Sequence, residues 1–188
     1  AIQSSLGIED IDQDGDLDLV SVHGRVLRSP VHSTADEKDY WNPYAEEDHL
    51  YLNDGAGHFQ QQTGGLSLRS GRVEVSRGLA VGDLDQDRRE DILLSTRNAR
   101  MLAFFRLPGK GVTWRSELIP NPHGTPHGKG VAIADLDGDG RADIAAGAKG
   151  GPSDTSGMGN WFAWWRAPAK KGGAWKKEII SDQEPGAT

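Results

Sequence analysis

An aspartate-rich pattern, D-x-D-x-D-x-x-x-D, occurs three times in this chain and limits its fold more than any other feature. The copies begin at Asp10, Asp83 and Asp135. Each lies between two short apolar runs that contain β-branched residues and are too short for helices, so the flanks are predicted to be strands. The carboxylates of so short a loop repel one another unless a cation lies between them. The sequence therefore predicts three strand pairs, each joined by a cation-binding loop.

The similarity between the three segments continues beyond the acidic loops. Residues 105–108 (FRLP) align with residues 165–168 (WRAP), and residues 114–119 align with residues 175–180. After the first loop, the segment 49–62 occupies the same positions as a strand, a turn and a strand. Each unit therefore has four strands, and the acidic loop joins the first to the second. Such units predict an all-β fold of β-propeller blades, as three four-stranded antiparallel repeats.

The repeat also predicts how the chain is divided. We expect one repeat domain over 1–188, with blade one at 1–62, blade two at 70–120, blade three at 121–181, and 182–188 leading into a further blade. Propellers close with about four to eight blades. Three blades are therefore expected to be completed by further blades of a longer chain, by a copy of this chain or by another subunit.

Composition excludes several classes of partner and site. The net charge of −7 argues against nucleic acid as the main partner. The chain has no cysteine, which excludes disulfides and thiolate metal sites. No run of 18 apolar residues is present, so no helical membrane span is predicted.

The loops have the chemistry of a calcium site but not that of an EF-hand. Hard cations such as calcium take six to eight oxygen ligands, and glycine at position six, Gly15 or Gly140, lets the chain turn with positive φ. An EF-hand needs a bidentate Glu at position twelve, where this chain has Ser21, Leu94 and Ala146. We therefore interpret the loops as calcium loops between strands.

The middle loop departs from the other two. Arg88 stands at position six, where the others have glycine, and Arg89 follows it. A residue with a Cβ at positive φ costs on the order of 1 kcal/mol, and the added positive charge opposes a divalent cation. Of up to three calcium sites, the middle one is predicted to be the weakest.

Three segments, 51–59, 82–87 and 134–140, give the chain a resemblance to a known family. They are similar to the FG-GAP/VCBS repeat family, whose calcium-loop blades build integrin-α-type propellers and many secreted bacterial proteins. The resemblance implies calcium binding by the carboxylates at positions one, three, five and nine and by the carbonyl of position seven. The implied ligands are Asp10, Asp12, Asp14 and Asp18 with the carbonyl of Asp16, then Asp83, Asp85, Asp87 and Asp91 with that of Arg89, and Asp135, Asp137, Asp139 and Asp143 with that of Arg141.

A strand of alternating large residues near the end of the chain is apolar on both faces. Trp161, Ala163 and Trp165 face one way, and Phe162 and Trp164 face the other. Such a strand is expected to be covered on both faces by neighbouring blades. The alternative is that the tryptophans form a platform on which sugars stack.

The long connections between strands are expected at the end of the sheets opposite the acidic loops. The resemblance to the FG-GAP/VCBS repeat family implies that ligands bind at this end. Long loops on a rigid scaffold often carry recognition. The candidate ligand-face residues are His32, Tyr40, Trp41, Tyr44, His123 and His127. His123 and His127 could also form a metal or catalytic pair, and Glu46, Glu47 and Asp48 leave carboxylate chemistry on glycosides open.

No nucleophile, phosphate-loop or zinc-protease motif is found, so the chain is predicted not to be an enzyme by itself. The predicted function is non-catalytic binding or adhesion to a protein or glycan in a secreted, cell-surface or periplasmic protein. The alternatives are a structural subunit of a larger extracellular assembly and an accessory part of a secreted polysaccharide-active enzyme.

Overall fold

A computed structural model describes residues 3–24, 42–62, 75–96, 101–109, 111–119, 128–148 and 161–182. Twelve strands in these ranges form three antiparallel sheets of four, each in sequence order. Sheet one contains β1 (Gln3–Glu9), β2 (Asp18–His23), β3 (His49–Asn53) and β4 (Phe59–Gln61). Sheet two contains β5 (Ser76–Gly82), β6 (Asp91–Thr96), β7 (Met101–Arg106) and β8 (Trp114–Ile119). Sheet three contains β9 (Gly128–Ala134), β10 (Asp143–Ala148), β11 (Trp161–Arg166) and β12 (Lys176–Ser181).

This architecture confirms the predicted all-β fold of partial propeller blades. Each acidic loop joins the first strand of a sheet to the second, and the closing aspartate is the first residue of the second strand. The strand pairing runs Glu9 with Asp18, Gly82 with Asp91 and Ala134 with Asp143. The loops therefore occupy equivalent positions at one end of the three sheets. A 3-10 helix, Asn42–Tyr44, precedes β3, and the described residues contain no α-helix.

Two apolar clusters stack the sheets on one another, with sheet two in the middle. The first joins sheet one to one face of sheet two, and its buried members are Ile11, Val20, Val22, Leu50, Ile92, Leu94, Leu102 and Phe104. The second joins the other face of sheet two to sheet three, and its buried members include Leu93, Met101, Phe105, Ile144, Trp161 and Trp165. Burying one such side chain contributes about 1.5–3 kcal/mol, so these interfaces are the main apolar contribution to the fold.

The first strands of the sheets approach one another closely because glycine stands at two contacts. A Cβ on Gly7 of β1 would lie 3.0 Å from Cδ2 of Leu79 in β5. A Cβ on Gly82 of β5 would lie 3.0 Å from Cγ2 of Ile133 in β9. Glycine within a strand often marks a close backbone approach. These contacts bring β1, β5 and β9 together along one side of the stack.

At the end opposite the loops, Asp48 joins sheet one to sheet two. This carboxylate is buried and accepts hydrogen bonds from the His23 amide at 2.8 Å and from Ser76 Oγ at 2.6 Å. Because His23 lies in β2 and Ser76 in β5, one side chain links two sheets. Both oxygens of Asp48 therefore stabilise the fold, whereas the sequence left a role in glycoside chemistry open for this residue.

The outer faces of the stack are partly apolar. Leu6 and Ile8 of sheet one are about half exposed, and Phe162 of sheet three is 39% exposed. The expectation that β11 is covered on both faces is wrong for the described residues, because Trp161, Ala163 and Trp165 are buried whereas Phe162 and Trp164 are not fully buried. The physical reason is position: sheet two covers one face of β11, and no described sheet lies on the other.

Candidate metal centres

Each acidic loop gathers three carboxylates that could hold one metal ion. One oxygen from each of positions one, three and nine lies within 4.8 Å of the others. The three groups are Asp10, Asp12 and Asp18; Asp83, Asp85 and Asp91; and Asp135, Asp137 and Asp143. Three aspartate oxygens at such spacing are suited to a hard cation.

The closing aspartate at position nine shapes each loop through both of its oxygens. We number the acidic loops of sheets one, two and three as loops one, two and three. In loop one, Asp18 Oδ2 accepts the Ile11 amide at 2.9 Å, and Asp18 Oδ1 accepts the Asn53 amide at 2.9 Å. Asp91 and Asp143 repeat this arrangement, and all three residues are fully buried. The closing aspartates therefore join each loop to the end of the third strand of its own sheet.

The carboxylate at position one organises the middle of each loop. Asp10 accepts the Gly15 amide at 3.1 Å, Asp83 accepts the Arg88 amide at 2.8 Å, and Asp135 accepts the Gly140 amide at 2.9 Å. These donors are all at position six. The loop backbone therefore turns around this carboxylate, which accepts hydrogen bonds from amides that have no partner in a neighbouring strand.

Backbone dihedral angles confirm the predicted turn at position six and reveal another at position four. Position six has a φ of 98° at Gly15, 65° at Arg88 and 83° at Gly140. Position four has positive φ in all three loops, at Gln13, Gln86 and Gly138. The only sequence signal for the second turn is the glycine of loop three.

The position-five carboxylates lie outside these triads. Asp14, Asp87 and Asp139 each accept the amide of position seven through Oδ1, at 3.0, 3.0 and 2.9 Å. In loops two and three the other oxygen pairs with the arginine at position seven, Arg89 or Arg141. That position five and the carbonyls of Asp16, Arg89 and Arg141 are calcium ligands stays a prediction.

In two of the three triads, a buried carboxylate oxygen without a donor favours a bound cation. Asp10 Oδ1 and Asp85 Oδ1 are both buried, and neither accepts a hydrogen bond from a described residue. A buried carboxylate oxygen without a donor is unfavourable, and a bound cation would remove that cost. The acidic loops therefore fit a bound cation such as calcium, which their carboxylates would hold between the first two strands of a sheet.

Burial also disfavours the charged form of several loop carboxyls. It raises the pKa of Asp91 to about 7, although the amides of Arg106 and Leu84 act in the opposite direction. Burial and the neighbouring Asp18 charge raise the pKa of Asp12. A divalent cation stabilises ionised carboxylates, so metal and protons compete for the same oxygens.

The acidic loops also lie where a known sequence repeat begins. The family model of the FG-GAP-like repeat matches residues 10–94 and 83–146. The chain belongs to the FG-GAP-like repeat family. Each match begins at the first aspartate of a loop, Asp10 or Asp83. It ends in the second strand of the following sheet, at Leu94 in β6 or Ala146 in β10. Among curated proteins, none gives a significant match. The resemblance inferred from residues 51–59, 82–87 and 134–140 is thereby confirmed.

Most of the ligand-face candidates of this FG-GAP-like repeat protein lie outside the described residues: His32, Tyr40, Trp41, His123 and His127. Tyr44 is described, and it packs partly buried against Ala45 and Val75. No helix in the described ranges is long and apolar enough to span a bilayer.

One residue whose contact with the loops the sequence did not predict is Arg106 at the end of β7. Its guanidinium donates to the Ile11 carbonyl and, at 2.8 Å, to the Asp12 carbonyl, so sheet two holds loop one from the side. Gln13 of loop one in turn donates to the Arg88 carbonyl of loop two at 2.5 Å. The loops of this repeat protein are thus linked across sheets, and sequence spacing gives no sign of such a contact.

Proposed function

We propose that this chain is a calcium-stabilised segment of a β-propeller that acts as a non-catalytic module for binding or adhesion to proteins or glycans. One observation carries the proposal: three loops of the same repeat each gather aspartate oxygens within 4.8 Å. A role for these ions in stability is favoured because every loop joins two strands and is itself held by buried closing aspartates. Ligand binding is assigned to the opposite end, where the long connections emerge.

The location proposed for the chain is secreted, cell-surface or periplasmic. Calcium loops of extracellular modules bind at about 10⁻⁴–10⁻³ M, a range in which they fill outside the cell and stay empty in the cytosol. FG-GAP-like repeats are usually extracellular, which agrees with this assignment. A dissociation constant below about 1 µM for the tightest loop would remove its basis.

Calcium titration by calorimetry tests the proposal directly. Replacing one triad carboxylate, by Asp12→Asn or Asp137→Asn, is expected to abolish one binding site each, because a hard cation loses a charged ligand. The matched control is Asp16→Asn, since Asp16 lies in loop one but its side chain lies outside the triad. A wild-type protein that binds no calcium at millimolar concentration would contradict the proposal.

A second candidate is a structural subunit that assembles through the outer faces of the stack. The observation that favours it is the exposure of Leu6, Ile8 and Phe162 on the two outermost sheets. Sheets one and two each present one face to the next sheet, so a further blade of the same kind would cover these faces in the same order. That blade is supplied by a longer chain, a copy of this one or another subunit.

Light scattering of the calcium-loaded protein distinguishes a self-assembling subunit from an isolated module. Assembly through the outer faces predicts a mass of two or more copies, and Leu6→Asp with Ile8→Asp is expected to return it to 20.3 kDa. A single-copy mass at high micromolar concentration would contradict self-assembly and would leave the module function in place.

A further inference from the structure

A lysine from sheet three reaches the middle acidic loop. Nζ of Lys171 lies 2.7 Å from Asp85 Oδ2 and 3.3 Å from Asp87 Oδ2. Lys171 belongs to the turn between β11 and β12, whereas both aspartates belong to loop two, between β5 and β6. The Asp85 side chain is only 7% exposed, so the ammonium group meets a carboxylate that water scarcely reaches.

The backbone of the turn fixes where this lysine lies. Just after β11, the Ala167 amide donates to Asp143 Oδ1 at 2.7 Å, so the closing aspartate of loop three holds the start of the turn. The Gly173 amide donates to the Lys170 carbonyl at 2.9 Å, and Gly172 takes a φ of 75° to close the turn. Lys171 therefore lies in a turn that is anchored to loop three at its start and closed by its own hydrogen bond.

The contact that the next sheet makes with loop one is different. The corresponding contact from the next sheet is made by Arg106, which donates to backbone carbonyls of loop one. In loop three, Arg166 of the same sheet pairs with Asp137 at 3.2 Å. Loop two differs from both, because its carboxylates face a cation that comes from the next sheet. It is also the copy with Arg88 in place of glycine at position six. Loop two thus combines an added positive charge, which opposes calcium, with a lysine that can replace it.

We propose that Lys171 is the resident cation of loop two, where its ammonium group compensates Asp85 and Asp87 and joins sheet three to sheet two without a metal ion. The inference rests on the proposed role of the loops as cation sites and goes beyond it. Lys171 contacts Asp85 Oδ2 and Asp87 Oδ2, so its positive charge opposes the entry of calcium at the neighbouring Asp85 Oδ1. Loops one and three remain the calcium sites of the protein.

The test compares Lys171→Met with Lys170→Met, a neighbouring exposed lysine in the same turn. Calcium calorimetry is expected to show two sites in the wild type and in Lys170→Met. In Lys171→Met a third site is expected, with an affinity at least about tenfold higher than loop two has in the wild type. Loss of a site in Lys171→Met, or an unchanged number of sites, would overturn the proposal.

Thermal unfolding in EDTA provides a second readout that does not depend on calcium binding. Lys171→Met is expected to melt about 2–4 °C below Lys170→Met, because Asp85 then loses the ammonium group that compensates its charge. In saturating calcium the two variants are expected to melt together. Equal melting temperatures in EDTA would overturn the proposal. A wild type that binds no calcium would overturn the proposed function instead, and the comparison in EDTA would still decide the role of Lys171.

Discussion

In EDTA the protein is expected to melt about 7–14 °C below its melting temperature in 2 mM calcium chloride. A ligand that binds only the folded state stabilises it by RT ln(1 + [L]/Kd), about 1.8 kcal/mol per site for a Kd near 0.1 mM. Two occupied loops contribute about 3.6 kcal/mol, a large share of the net stability of a typical domain. For a chain of this length, about 1 kcal/mol shifts the melting temperature by roughly 2–4 °C.

Magnesium chloride at the same concentration is the matched control, because it supplies the same charge and ionic strength. Magnesium demands near-octahedral geometry and keeps several waters, so it is expected to restore much less of the melting temperature. Asp12→Asn should remove about half of the calcium-dependent shift. If calcium and magnesium protected equally, the effect would be general screening of acidic loops and the calcium assignment would fail.

The loops were the most predictable part of this fold, because the same residues recur at the same spacing. Alternating aspartates fixed the position of each loop, and glycine at positions 15 and 140 indicated the turn at position six, which the φ values confirm. The turn at position four was not predicted, since glutamine stands there twice. Glycine in a sequence signals a position of positive φ, whereas glutamine gives no such signal.

The place of each sheet in the stack was less predictable. The alternating tryptophans of β11 suggested a strand covered on both faces, yet the strands whose residues are all buried are β6 and β7 in the middle of sheet two. The pattern Met101 to Phe105 is equally apolar on both faces. A sequence indicates which faces are apolar, but which of them another sheet covers depends on the order of stacking.

Contacts between sheets could not be predicted from spacing at all. Asp48 with Ser76 and Lys171 with Asp85 are separated by 28 and 86 positions, and nothing in either local pattern relates them. The closing aspartates show a related limit. The repeat pattern predicted these aspartates as metal ligands. It did not predict that they are buried or that both oxygens accept backbone amides, because both properties depend on how the sheets pack.

Replacing Trp165 by alanine is expected to lower the free energy of unfolding by about 3–5 kcal/mol, the range for deleting a large buried aromatic side chain. Trp165 is 1% exposed and packs edge-to-face on Trp161 with ring centroids 5.9 Å apart. It belongs to the cluster that joins sheet three to Met101 and Phe105 of sheet two. Its removal leaves a cavity in that interface which the rigid strands on either side cannot close. Urea unfolding in saturating calcium measures the loss.

Phe162→Ala is the matched control, because Phe162 lies on the same strand but faces outward and is 39% exposed. Its loss is expected to cost less than about 1 kcal/mol in the isolated chain. A large difference between the two variants means that sheets two and three stack through the inner face of β11. Equal losses would mean that β11 is covered on both faces in solution, which is the outcome expected if another blade occupies the outer face.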